Sequence, residues 1–139
     1  MQVASTTGLP RVLLVDDSWY MRLMVQGLLE PEGYEVICAE SVAEAVRMYA
    51  KDRPDLVLMD LVLPTLDGLS GIAQLRALDP QAQVVVVTGC LDDTTRRQVK
   101  ESGARAFVAK PVASRRLMDA IEGVLRGGNP VAFGLQAAG

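Results

Sequence analysis

The chain has 139 residues, half of them apolar, and 22 % charged residues of both signs that sum to a formal net charge of −3. This length and apolar fraction predict one compact domain, and the weakly acidic balance argues against a surface that binds nucleic acid directly. Because no apolar run approaches the roughly 20 residues of a membrane span and no secretory signal is apparent, we expect a cytoplasmic protein without membrane contact.

Short apolar runs alternate with longer helical segments along the chain. The predicted strands are, in order, Val12–Val15, Tyr34–Ala39, Leu56–Met59, Val84–Val87 and Ala106–Ala109. Most are continuously apolar, which is typical of parallel strands covered on both faces. Helical spacing occupies 18–30, 41–51, 67–78, 92–102 and 114–126. The alternation predicts an α/β domain, a doubly wound parallel sheet with helices on both faces.

Local signals mark the ends of these elements. Ser41 and Glu44 have the spacing of a capping box at a helix start. Gly33, Gly103 and Gly127–Gly128 lie where helices should end, and Pro64 and Gly68 should shape the turn after the third strand. We therefore divide the chain into an N-terminal tail (1–10), a domain (11–127), and a C-terminal tail or the start of a linker (128–139).

Three carboxylates follow predicted strands. Asp16 and Asp17 come directly after the first strand and Asp60 after the third. In a sheet of order 2-1-3-4-5 these two strands are neighbours at the point where the strand order reverses, which is where ligands bind in open parallel sheets. Three converging carboxylates repel one another, so the pattern predicts a hard divalent cation, Mg²⁺ or the similar Mn²⁺.

Two further polar residues end the remaining strands of the same half. Thr88 ends the run VVVVT, and Lys110 ends AFVAK. A hydroxyl and an ammonium beside a cation–carboxylate cluster are suited to bind the oxygens of a phosphoryl group.

The sequence contains no histidine. This excludes Ser-His-Asp and Cys-His catalysis as well as His-ligated zinc, so any chemistry must use carboxylates, lysine, hydroxyls or a metal ion. Cys38 and Cys90 have no CxxC spacing and predict free thiols in a reducing compartment.

The motifs VLLVDD, LVLMDLVLPTLDG, VVVVTG and FVAKP resemble those of the response-regulator receiver domain, including its chemotaxis-type single-domain members. The resemblance covers roughly residues 11 to 126. It implies a flavodoxin-like five-stranded sheet of order 2-1-3-4-5 and a phosphoacceptor function in a two-component system or phosphorelay.

The resemblance also implies roles at the acid cluster. Asp60 would be the phosphoacceptor. Asp17, Asp60 and the backbone carbonyl of Val62 would bind Mg²⁺ directly, and Asp16 would act largely through a metal-bound water.

The resemblance implies further roles for residues that would contact the phosphoryl group or respond to it. Lys110 would pair with the phosphoryl group, and Thr88 would donate a hydrogen bond to it. Phe107 is either a rotating aromatic switch coupled to Thr88 or an ordinary core residue. Pro111 either ends the strand or forms a cis peptide bond that directs Lys110 into the site.

The resemblance also implies a docking surface for the phosphodonor beside the acids. It comprises residues of the first helix and of the loop after the fifth strand: Trp19, Tyr20, Leu23, Pro111 and Val112. The alternative is an aromatic lid packed on its own loop. The donor would be a sensor histidine kinase or a histidine phosphotransfer protein. The face formed by the fourth helix, fifth strand and fifth helix would switch a downstream protein or a covalently linked output domain.

Two other functions use related site chemistry. An aspartate-nucleophile phosphatase of the haloacid-dehalogenase type needs a second acid two residues after the nucleophile, where this chain has Val62. A flavodoxin-like nucleotide binder needs a Gly-rich or hydroxyl-rich loop after the first strand, where this chain has DDSWYM. We expect self-phosphorylation and self-dephosphorylation only, with no turnover of an outside substrate. Whether the domain acts alone or belongs to a longer regulator stays open.

Overall fold

The computed structural model describes residues 8–63, 67–89 and 92–127. Predictions that concern Pro64, Cys90, Gly128 and the two terminal segments 1–7 and 128–139 lie outside these residues. Within them, Cys38 is a free, partly buried thiol, as predicted.

Five strands form one parallel sheet in the order β2-β1-β3-β4-β5. They are β1 Arg11–Val15, β2 Glu35–Ala39, β3 Leu56–Met59, β4 Val84–Thr88 and β5 Ala106–Ala109. The strand order and the parallel direction confirm the predicted fold. Thr88 is itself the last residue of β4, one residue beyond the predicted end.

In the described part of the chain, each strand is followed by an α-helix, and the first four helices connect consecutive strands. The helices are α1 Trp19–Leu29, α2 Val42–Asp52, α3 Gly68–Leu78, α4 Asp93–Glu101 and α5 Ser114–Leu125. The predicted starts of the first four coincide with the residue before the helix. That residue caps the helix in each case, its side chain accepting a hydrogen bond from a backbone N–H of the first turn: Ser18, Ser41, Asp67 and Asp92. No helix among the described residues is both long and apolar enough to cross a membrane.

The capping box at α2 differs from the expected one in the hydrogen bond that its glutamate accepts. The Ser41 side chain accepts from the Glu44 N–H (3.2 Å), but the Glu44 carboxylate accepts from the N–H of Glu40 (2.8 Å), the residue before the cap. Both bonds still pair backbone donors at the helix start.

The core has two layers, one on each face of the sheet. Alternate strand residues such as Leu13, Val57 and Val86 pack with α2, α3 and α4. Their neighbours, such as Leu14 and Leu58, pack with α1 and α5. Burial on both faces explains why most of the strands are continuously apolar, without the alternation of apolar and polar residues seen in half-exposed strands.

The apolar face of α1 is rotated slightly from its prediction. The spacing Met21, Met24, Val25, Leu28 predicts the core face, but the buried residues are Met21, Val25 and Leu29. Met24 and Leu28 are only partly buried at the edge of the same cluster. Met21, Val25 and Leu29 are spaced by four residues and point most directly at the sheet, whereas the predicted spacing included Leu28 and left out Leu29.

Candidate functional site

The sheet's hydrogen bonds continue past the strands and bring the acids of β1 and β3 together. The Asp16 N–H donates to the carbonyl of Ala39, and the Asp60 N–H donates to the carbonyl of Val15, each at 3.0 Å. Gly68, at the start of α3, packs directly on this segment, since a Cβ there would collide with the carbonyl oxygen of Asp60. The backbone at the carboxyl end of β3 is thereby held from two sides.

Asp16, Asp17 and Asp60 form one acidic cluster. One carboxylate oxygen of each lies within 4.8 Å of those of the other two. Asp16 and Asp60 are only 2 % and 6 % exposed, whereas Asp17 is exposed. Oxygen ligands at this spacing, with one side open to water, fit the partly hydrated coordination that Mg²⁺ prefers.

Lys110 supplies a cation to this cluster. Its Nζ lies 3.0 Å from Asp16 Oδ2 and 3.3 Å from Asp60 Oδ2. One ammonium among three carboxylates leaves the site two negative charges in excess, which a divalent cation would neutralise. The distances therefore fit both parts of the predicted constellation, the metal ligands and the lysine.

Burial and neighbouring charges shift the pKa values of Asp60 and Lys110. Burial raises the pKa of Asp60 above its ordinary value, although the Val62 N–H and Lys110 oppose the shift. For Lys110, partial burial alone would lower the pKa, but hydrogen bonding and attraction to Asp16 and Asp60 outweigh it, so the pKa is raised. The ammonium thus stays charged where a phosphoryl group would arrive.

Backbone donors orient the two buried carboxylates. Ser18 N–H donates to Asp16 Oδ1 (2.9 Å), and Val62 N–H donates to Asp60 Oδ1 (3.2 Å). Both are bonds from a residue two positions on, the usual Asx turn. In each carboxylate one oxygen is held by the backbone and the other faces Lys110.

Thr88 and Phe107 lie on the same face of the sheet. The register pairs Thr88 with Ala109 and Val86 with Phe107, so Phe107 is a diagonal neighbour of Thr88. Thr88 is fully buried and Phe107 is 7 % exposed. The Lys110 N–H donates to the Thr88 carbonyl at 2.9 Å, which ties the ends of β4 and β5 together.

The residues predicted to form a docking surface differ in exposure. Trp19, Tyr20 and Leu23 are 65 %, 64 % and 59 % exposed. Pro111 is exposed and follows a cis peptide bond from Lys110, the second of the two readings of this proline. Val112 is partly buried and packs against the core cluster between α1, α5 and the sheet.

Sequence reasoning missed two residues here. Ser18 both caps α1 and binds Asp16 through its N–H, and the Asp-x-Ser spacing could have predicted that turn. Arg96 of α4 lies over the ring of Phe107, with its guanidinium carbon 5.5 Å from the ring centroid. No local pattern indicates that contact, because the two residues belong to different elements.

Comparison with known proteins agrees with this architecture. A family model described as the response regulator receiver domain matches residues 12–122. The chemotaxis protein CheY of Bacillus subtilis is 34 % identical over 116 residues, 83 % of this chain and 97 % of that protein.

Solved structures with the same fold point to the same family. The CheY-like receiver domain protein of Methanospirillum hungatei superimposes with a TM-score of 0.81 at 30 % identity, covering 86 % of this chain and 95 % of that one. CheY in a CheX–CheY–BeF3–Mg²⁺ complex from Borrelia burgdorferi gives 0.80 at 25 % identity, covering 85 % and 92 %. This chain therefore belongs to the response regulator receiver domain family, the phosphoacceptor modules of two-component signalling.

Proposed function

We propose that Asp60 is the residue that accepts the phosphoryl group, and that Asp16, Asp17, Asp60 and the carbonyl of Val62 hold the Mg²⁺ (or Mn²⁺) that the reaction needs. The observation that carries the proposal is the convergence of three carboxylates and the Lys110 ammonium at one end of the sheet. Asp60 is the acceptor because its carboxylate is buried, is oriented by the Val62 N–H and lies beside Lys110.

The reaction is the transfer of a phosphoryl group from a phosphohistidine of a partner. An oxygen of Asp60 forms the new bond to phosphorus while the phosphorus–nitrogen bond breaks, and its electron pair stays on the imidazole. Bound Mg²⁺ supplies positive charge to the phosphoryl oxygens. Lys110 binds another of these oxygens, and the Thr88 hydroxyl donates a hydrogen bond to the product. No general base is required, which suits a chain without histidine.

The phosphodonor would dock beside the cluster. Exposed large apolar side chains on the first turns of α1 favour a protein partner, since such groups are otherwise buried: Trp19, Tyr20 and Leu23. The adjoining loop contributes exposed Pro111 and partly buried Val112. A sensor histidine kinase or a histidine phosphotransfer protein is the partner class that supplies phosphohistidine.

The output would come from the face formed by α4, β5 and α5. Phe107 of β5 is the proposed switch, because its position diagonal to Thr88 couples that face to the site. The partner is a downstream protein or a linked output domain, and the domain would span 11–127 with no turnover of an outside substrate. A cytoplasmic location is part of this proposal.

The two rival functions fit the site less well. The residue two positions after Asp60 is Val62, which is 63 % exposed and has no acid to protonate a leaving group. A nucleotide phosphate after β1 would meet Asp16 and Asp17, whose charges would repel it.

Intact mass spectrometry tests the assignment of Asp60. Incubation with a small phosphodonor and Mg²⁺ should add about 80 Da, the mass of one phosphoryl group, to the protein but not to Asp60→Ala. Asp119→Ala, which removes an exposed acid of α5, is the matched control and should be modified like the parent. A chelator should abolish the adduct in every sample. An adduct of equal yield in Asp60→Ala would reject the proposal.

A further inference from the structure

Arg96 makes an unusual contact for a helical arginine. Its guanidinium lies over the Phe107 ring, 5.5 Å from the centroid. Within the described part of the chain no carboxylate forms an ion pair with it, although Asp92 and Asp93 are close in sequence. The next residue, Arg97, is exposed and likewise has no ion pair there. The ring is thus the partner that the structure shows for the Arg96 side chain.

The Arg96 guanidinium is held at this position despite a cost. Its Nε is buried and has no hydrogen-bond partner among the described residues. A buried donor without an acceptor is unfavourable, so attraction between the cation and the ring face must contribute to holding the side chain in place. Movement of the ring would remove that attraction.

The ring lies on the same face of the sheet as Thr88, the residue proposed to bind the phosphoryl group. Phe107 and Thr88 share one face of the sheet as diagonal neighbours, and both are buried. In a close-packed core, a side chain moves only when its neighbours make room. A shift of Thr88 toward the site and a change of the Phe107 rotamer would therefore both alter the packing on this face of the sheet.

We propose that Arg96 is a positioning residue that sets how readily this domain switches. Its stack on Phe107 stabilises the ring position that the structure shows and so opposes a rearrangement, on phosphoryl binding, that moves the ring away from Arg96. A contact present in one of two states shifts their equilibrium by its own free energy and weakens ligands of the other state equally. The inference rests on the proposed function of Asp60 and Thr88.

A binding titration tests the effect on switching. Beryllofluoride with Mg²⁺ serves as a non-covalent stand-in for the phosphoryl group, and Trp19, the one tryptophan of the chain, reports binding by fluorescence. Arg96→Gln should tighten binding by a factor of about two to five, the range expected for one cation–ring contact. Arg97→Gln makes the same change of charge one residue away and should bind like the parent. Equal effects of the two substitutions would overturn the proposal.

A double-mutant cycle shows whether the effect acts through the ring. In a Phe107→Leu background, Arg96→Gln should no longer change the affinity, because the stack is already absent. Arg96→Lys, which keeps the charge but loses the planar guanidinium, should recover only part of the parent behaviour. An effect of Arg96→Gln that persists undiminished in the Phe107→Leu background would also reject the proposal.

A measurement without any phosphoryl analogue separates this inference from the proposed function. In the NMR spectrum of the parent protein, the Arg96 Nε–H proton should be shifted upfield by the ring, and the shift should vanish in Phe107→Leu. An unshifted resonance in the parent excludes the stack. A shifted resonance in a protein that binds no beryllofluoride and forms no adduct at Asp60 leaves the stack intact but removes the proposed function and the switching role with it.

Discussion

The two ends of the sheet are both rich in charge, but they use it differently. At the amino end, charges are paired: Arg11 contacts Glu35 at 3.1 Å, and Arg53 contacts Asp79 at 3.3 Å. The Tyr49 hydroxyl also donates to Asp79, at 2.8 Å. Each of these groups has a partner of opposite charge or a hydrogen bond.

At the carboxyl end, charge is left unbalanced. Asp16, Asp17 and Asp60 meet a single ammonium, that of Lys110. Two of the carboxylates are nearly inaccessible to water, so their repulsion is only weakly screened. Repulsion of this kind should lower the stability of the metal-free domain, and the excess negative charge fits the proposed binding of a cation.

The amino end therefore carries paired charges that should stabilise the fold, whereas the carboxyl end carries the proposed functional site. Substitutions at the amino end should change the free energy of unfolding and leave phosphorylation intact. Substitutions at the carboxyl end should impair phosphorylation, and some of them should also increase the free energy of unfolding.

The largest effect is expected for Lys110→Gln. Loss of the ammonium removes a preorganised group that neutralises charge developing on the phosphoryl oxygens. The rate of phosphorylation by a small donor should fall about a hundred- to a thousand-fold, measured by adduct formation over time. Lys100→Gln, which removes an exposed lysine of α4, is the control and should react at the parent rate. Similar rates for the two variants would show that Lys110 has no part in the transfer.

A smaller loss of function is expected for Asp17→Asn, together with an increase in stability. Removal of one of three like charges should stabilise the metal-free protein by up to about 1 kcal/mol, because Asp17 is exposed and its repulsion is partly screened. The same substitution should weaken Mg²⁺ binding about ten-fold or more.

Thermal unfolding with a chelator and with increasing Mg²⁺ measures both effects of Asp17→Asn. Asp119→Asn removes a remote exposed acid and serves as the control for net charge. If Mg²⁺ raises the melting temperature of Asp17→Asn as much as that of the parent, Asp17 is not a ligand.

The smallest effect is expected at the amino end, for Tyr49→Phe. Loss of the hydrogen bond to Asp79 should cost about 1 kcal/mol of stability at neutral pH, measured by denaturant unfolding. Phosphorylation should be unchanged. A slower reaction in this variant would contradict the division between the two ends.

The stability lost in Tyr49→Phe should depend on pH, because the hydrogen bond is made to the carboxylate of Asp79. The Tyr49 hydroxyl, followed by smaller contributions that include the Gln81 N–H and Arg53, lowers the pKa of Asp79 below its ordinary 3.8. A carboxyl with a lowered pKa in the folded state stabilises the fold above its unfolded pKa, and that stability is lost as pH falls through the folded pKa. The difference between the parent and Tyr49→Phe should therefore be constant near neutral pH and shrink below pH 3.8.

Local patterns were sufficient for much of the architecture. The short apolar runs predicted all five strands, and the ends differed from the structure by at most one residue. Most of these runs are continuously apolar because their strands are buried on both faces. Helix starts were predicted one residue early at Ser18, Ser41, Asp67 and Asp92, since a capping residue belongs to the helix signal but not to the helix. Helical spacing alone could not distinguish the fully buried Leu29 from the partly buried Leu28, because only packing decides which one points most directly at the sheet.

By itself the sequence determined the chemistry available to this protein. The absence of histidine and the polar residues that end four of the strands limited the site to carboxylates, a hydroxyl and an ammonium. Periodicity could assign these residues to strand ends because that information is local, and the motifs identified the family.

Only the tertiary structure decided the distances on which function depends. The contact of Lys110 with Asp16 joins residues 94 positions apart, and the Arg96–Phe107 stack and the bond from Tyr49 to Asp79 join separate elements. Such contacts arise when whole helices and strands pack, which fixes rotamers and burial together. Local sequence preferences carry no information about such contacts. Neither the unbalanced charge at the carboxyl end nor the paired charges at the amino end could therefore be predicted before the fold was known.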